Sequence, residues 1–168
     1  MNFQFYMEKL YDSPSYQQFV KENPEAFACS AFFVVDKDGK DSKQHFDFWL
    51  PKEKKMFSFK LESGAEAIPV ELISEDIPEK IRTNFSFDFN DIEKLIQDRM
   101  DKEEIKNKLQ KMILSLQSRD GKDFFVGTVF ISMMGMIKIS IDLESMKILD
   151  FEKKSFFDFI KVKRKKKD

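Results

Sequence analysis

His45 and Asp47 have the types and spacing of an oriented general base, with an imidazole two residues from a carboxylate on one side of an extended segment. That chemistry also needs a hydroxyl or thiol nucleophile beside the ring, and nothing in the local sequence supplies one. The pattern therefore predicts a histidine on a sheet surface, next to Trp49. Cys29 lies inside an apolar stretch, where a thiol is expected to pack and stay inert. Asp36, Asp38, Asp41 and Asp47 suggest a calcium loop, with Asp47 twelfth from Asp36. However, Lys40 takes the fifth place, Asp41 takes the sixth where glycine is required, and no Glu closes the loop. A polar turn without metal is expected. The five glycines are scattered and form no phosphate loop, so no cofactor is expected. The one enzymatic route left open is convergence in space of carboxylates such as Asp47, Asp88 and Asp142. The expectation is that the chain is not an enzyme.

Composition points the same way. Twenty phenylalanines stand against one histidine and one cysteine in 168 residues, a heavy investment in packing and little in proton transfer. Hydrophobic residues make up 42% and charged residues 35%, too apolar for disorder and too interrupted for a membrane span. Met1 to Tyr11 lacks the pattern of a secretory signal and Cys29 has no partner cysteine, so a cytoplasmic location is expected. The last eight residues hold six Lys or Arg and one Asp. Taking them from 29 bases and 30 acids leaves 23 and 29, a body of charge −6 with a basic tail.

The elements that must position these residues follow from periodicity. Ser13 and Pro14 start a helix that Asn23-Pro24 ends, with Tyr16, Phe19 and Val20 on one face. Ala26 to Val35 reads as a strand covered on both sides, Asp36 to Asp41 as a turn, and His45 to Leu50 and Met56 to Leu61 as strands of period two. Residues 63–84, with Gly64, Pro69 and Pro78, read as a linker holding at most a short strand near Val70 to Ile73. Phe85, Phe87 and Phe89 alternate as a sheet face would, and a helix follows from Asn90 to about Lys106. Lys108 to Ser118 fits either a helix or a strand. The Asp120-Gly121 hairpin signal favours a strand returning through Phe124 to Ser132. Met136 to Leu143, a turn at Glu144 to Met146, and Lys147 to Phe151 complete the chain. The predicted class is α+β, an antiparallel sheet packed by helices. Its organisation is two helix-then-strands pseudo-repeats: 1–62, the linker 63–84, 85–160, and the tail 161–168.

The segment Ile139-Ser140-Ile141-Asp142-Leu143-Glu144-Ser145-Met146-Lys147-Ile148-Leu149 resembles the closing hairpin of PepSY-like proteins, whose domains are cystatin-like, with a helix on an antiparallel sheet. Members commonly place Gly where this chain has Met146. The resemblance implies a non-catalytic module, in some members part of a peptidase propeptide or a proposed inhibitor of proteolysis, and it carries over no functional residues.

Two sequence features suggest contact with partners. Met133, Met134 and Met136 sit where consecutive strands must be joined, and flexible thioethers suit adaptable apolar contacts. Lys163, Arg164, Lys165, Lys166 and Lys167 follow the aromatic run Phe156 to Ile160 and suit a phosphate-bearing partner. The favoured expectation is a protein-binding or regulatory module that takes a peptide by strand addition at a sheet edge. The alternatives are an RNA- or ribosome-associated protein using the tail, and a carrier whose phenylalanines line a cavity for a hydrophobic small ligand.

Overall fold

A computed structural model describes residues 1–155. Three helices, α1 (Phe3–Tyr11), α2 (Pro14–Glu22) and α3 (Phe89–Lys102), accompany eight strands. The strands are β1 (Phe27–Asp36), β2 (Lys43–Leu50), β3 (Lys55–Lys60), β4 (Ala67–Val70), β5 (Leu109–Arg119), β6 (Lys122–Ile131), β7 (Gly135–Asp142) and β8 (Lys147–Ser155). They form one antiparallel sheet in the order β4-β3-β2-β1-β5-β6-β7-β8. The fold is α+β, as the periodicities predict. The sheet runs outward in both directions from the β1–β5 pair, each side a four-stranded meander preceded in sequence by a helix.

The local reasons are largely those read from the sequence. Ser13 Oγ accepts from the Tyr16 amide and Pro14 opens α2. The helix read from Asn90-Asp91 starts one residue earlier, at Phe89, where Asp88 is the cap and Asp91 reaches back to the Asp88 amide to complete a capping box. Asp120 and Gly121 both have positive φ, 52° and 74°, as a two-residue hairpin with the sheet's twist requires. Residues 109–119 form a strand, which settles the ambiguity there.

Three expectations are corrected. The short strand near Val70 to Ile73 instead occupies Ala67–Val70, where Pro69 is tolerated because β4 is an edge strand. The helix from Asn90 stops at Lys102 and not near Lys106, since Glu104 turns left-handed at φ 57° and lets Ile105 tuck in, 8% exposed. Phe85 and Phe87 do not form a sheet face. They lie on an extended segment beside α1, tied by Phe3 N–H to Phe87 O at 3.1 Å and by the Gln4 amide to Thr83 O and Phe85 O, while Phe89 begins α3.

One helix was not anticipated. In α1, Asn2 accepts from the Phe5 amide at 2.8 Å, and Phe3, Tyr6, Met7 and Leu10 are buried at helical spacing. All three helices cover the same face of the sheet. Phe3 lies 6.0 Å from both Phe33 and Phe46, Phe19 5.1 Å from Phe59, and Phe89 4.8 Å from Phe33, mostly tilted or edge-on. The rings fill the space between helices and sheet by packing on one another. Ile81 joins this core, 1% exposed, with its N–H donating to Ala28 O. The opposite face of the sheet carries Phe32, His45, Asp47 and Trp49 on the first meander, with Trp49 buried, 4% exposed, where Leu72, Ile73 and Ile77 overhang it.

Candidate functional site

The open face begins with a polar cluster set by register. Ser30 on β1 stands opposite Asp47 on β2, just past a bulge between Ala28 and Ser30. Ser30 Oγ donates to Asp47 Oδ2 at 2.6 Å. The same carboxylate oxygen lies 3.7 Å from His45 Nε2. The His45 ring stacks on Phe32 at 4.9 Å with an interplanar angle of 17°, fixing it against the sheet. His45 and Asp47 are thus brought together as the spacing suggests, and a hydroxyl is indeed close. Its position matters more than its presence: Asp47 stands between Ser30 and His45, so the serine proton goes to the carboxylate and the imidazole does not touch Oγ. This is a hydrogen-bonded surface cluster, without the nucleophile-to-base order of acyl transfer. Ser30 was missed because its partner is cross-strand; only the β1–β2 register brings it there.

Cys29 occupies the bulge, 4% exposed, with its Sγ–H donating to Asp47 O at 3.4 Å. Burial first, then the nearby Asp47 charge, pushes its pKa up to about 12. The thiol stays protonated and is a poor nucleophile.

The other carboxylates are held by local partners. Asp36 accepts from the Asp38 amide at 3.1 Å and the Asp41 amide at 3.0 Å, closing the β1–β2 turn. Asp41 pairs with Lys43 and Lys111, each at 3.0 Å, which holds its carboxyl below the usual range. Asp88 caps α3, and Asp142 Oδ1 accepts from the Glu144 amide at 2.8 Å in the β7–β8 turn. Asp47, Asp88 and Asp142 are engaged at three separate places in the fold. Among the described residues, no group of three or more His, Cys, Asp or Glu side chains is placed to hold a metal.

Met133 and Met134 form the exposed β6–β7 turn, 85% and 59% exposed with φ of 61° and 59°, while Met136 is half-buried in β7. Lys163, Arg164, Lys165, Lys166 and Lys167 lie outside the described residues. Among the described residues, no helix is long and apolar enough to cross a membrane.

Surface shape offers grooves and edges. A groove of about 780 Å³ runs between α3 and the segment Arg82 to Phe87, closed by the β7–β8 turn. A second, about 580 Å³, lies where Leu72, Ile73 and Ile77 overhang Trp49. No family model, curated protein or solved structure matches this chain. Function must therefore be read from these surfaces alone. Among the described residues the two edges of the sheet differ sharply: β4 has four residues and a proline, while β8 has nine and exposes Leu149 at 61%.

Proposed function

We propose that the chain is a non-enzymatic protein-binding or regulatory module that takes an extended peptide segment by strand addition at β8. One observation carries this: among the described residues β8 ends the sheet and pairs with β7, leaving the other side of its backbone from Lys147 to Lys154 without a neighbouring strand. Such an edge supplies main-chain hydrogen bonds, and the exposed Leu149 supplies side-chain preference. The resemblance to PepSY-like domains adds a role for such binding, the modulation of proteolysis. It is supported by helices gathered on one face of an antiparallel sheet. A duplicated, cystatin-like origin is supported by the order of elements, α2 then β1 to β4 and α3 then β5 to β8. Met146 has φ 53°, a left-handed turn position of the kind the glycine of PepSY-like members would fill. A cytoplasmic location fits the single, buried, protonated Cys29. No specific observation favours the RNA-binding or ligand-carrier readings.

The test is selection from a displayed library of unstructured peptides, followed by hydrogen–deuterium exchange of the complex. Enriched peptides should slow exchange at amides of Lys147 to Ser155. Absence of enrichment, or protection confined to other elements, overturns the reading.

A further inference from the structure

Residues 70–79, Val-Glu-Leu-Ile-Ser-Glu-Asp-Ile-Pro-Glu, leave β4 at the edge of the sheet opposite β8. Their apolar side chains are turned to solvent: Leu72 is 43%, Ile77 70% and Ile73 fully exposed. Leu72, Ile73 and Ile77 line one groove with Trp49, so they form a patch rather than isolated exposures. Interleaved with them, Glu71, Glu75, Asp76 and Glu79 are all exposed, and none forms an ion pair among the described residues. Aliphatic side chains left in water forgo the gain of burial, and the four acids outnumber the two bases that line the same grooves, Lys54 beside Glu75 and Arg119 beside Glu71, Asp76 and Glu79. Both costs are relieved by one kind of surface, apolar at the centre and cationic at the rim.

We propose that this segment is a docking loop for a basic, amphipathic protein segment, whose aliphatic side chains pack on Leu72, Ile73 and Ile77 above the buried Trp49 while its lysines or arginines meet Glu71, Glu75, Asp76 and Glu79. The four acids disfavour the other large partners. They repel the phosphates of nucleic acid and the anionic headgroups that attract basic loops to membranes. Complementary charge also speeds encounter and makes the contact salt-sensitive. The surface is separate from β8 and does not depend on strand addition there.

Trp49 is the single tryptophan and lines the groove, so its fluorescence reports on this site. The probe is a capped twelve-residue peptide of alternating leucine and lysine, with a leucine and glutamate peptide as its counterpart, titrated into the full chain. The Leu/Lys peptide should change Trp49 emission with an affinity that falls about tenfold or more between 50 and 500 mM salt. Glu75→Lys with Asp76→Lys, and separately Ile73→Ser with Ile77→Ser, should each weaken binding about tenfold at unchanged Tm. The exposure of these side chains makes both pairs of substitutions neutral for folding. No binding, equal binding of the Leu/Glu peptide, or affinity indifferent to both double variants overturns the proposal. So does concentration-dependent self-association that the Ile73→Ser, Ile77→Ser variant abolishes, since a second copy would then cover the loop. Loss of loop binding with peptide protection at β8 intact separates this proposal from the strand-addition reading.

Discussion

Arg82 Nε donates to Asp123 Oδ2 at 2.6 Å, clamping the segment that leads into α3 onto the start of β6. The Asp123 side chain is 2% exposed and its Oδ1 has no partner among the described residues. Arg82, half-exposed, also lies over the Phe85 ring at 5.2 Å. Arg82→Ala strands a buried carboxylate, whereas Asp123→Asn leaves a guanidinium that water can solvate. The first should lower stability measurably, less than at a fully buried pair because Arg82 reaches solvent, and the second clearly less. Urea denaturation of both variants measures the asymmetry; equal losses would place the contribution elsewhere.

Phe3 is fully buried and touches Phe33, Phe46, Phe85 and Phe87. If α1 is part of the core, Phe3→Ala should destabilise by about 3–5 kcal/mol in the same assay. A loss under about 1 kcal/mol would show a helix only loosely attached.

Met133 and Met146 both hold left-handed backbone, at φ 61° and 53°. Met133 is 85% exposed, so Met133→Gly relieves the backbone and loses little contact, for a gain of about 0.5–1 kcal/mol. Met146 packs against the core, so glycine there gives back in lost burial what it gains in backbone freedom. Thermal denaturation should rank Met133→Gly above Met146→Gly.

Cys29 should react with a thiol reagent at pH 8 only as fast as the chain unfolds. Because its folded pKa is raised, the unfolded thiol loses its proton near 9.0 while the folded one keeps it to about 12. The contribution to stability is present below pH 9 and is lost as pH rises from there towards 12. Cys29→Ala should flatten that alkaline decline; an unchanged slope would assign it to other groups, of which Tyr16, also raised to about 12 by burial, is the first candidate.

At the acid end the sign reverses. Asp41 is lowered below 3.8 by hydrogen bonds from Lys43 and Lys111, and Asp142 by the backbone amide of Glu144. Each stabilises the fold above the unfolded carboxyl pKa and loses that contribution as pH falls through the folded one, below about 4. Asp142→Asn should make stability less steep between pH 4 and 2, measured by urea midpoints across that range.

Much of the fold was legible because its causes are local. Ser13-Pro14, Asp88 with Asp91, and Asp120-Gly121 act within a few residues, and the alternation at Phe46, Phe48, Phe57 and Phe59 marks strand faces. The stripe Phe3, Tyr6, Met7, Leu10 was equally local and marks α1 once its period is counted. Phe85 and Phe87 misled, since alternation describes any extended segment with one side against a core; only contact with α1 distinguishes that from a sheet.

What the sequence determined by itself was the class of fold, most element boundaries and the bias toward packing over proton chemistry, because propensity, capping and period are short-range properties. Tertiary structure decided the rest. It joined the two meanders through β1 and β5, put Asp47 between Ser30 and His45, left β8 as the long edge among the described residues, and turned Leu72, Ile73 and Ile77 outward over Trp49. Each depends on which strands become neighbours and in what register, and those pairings are set by the summed burial of residues far apart in the chain.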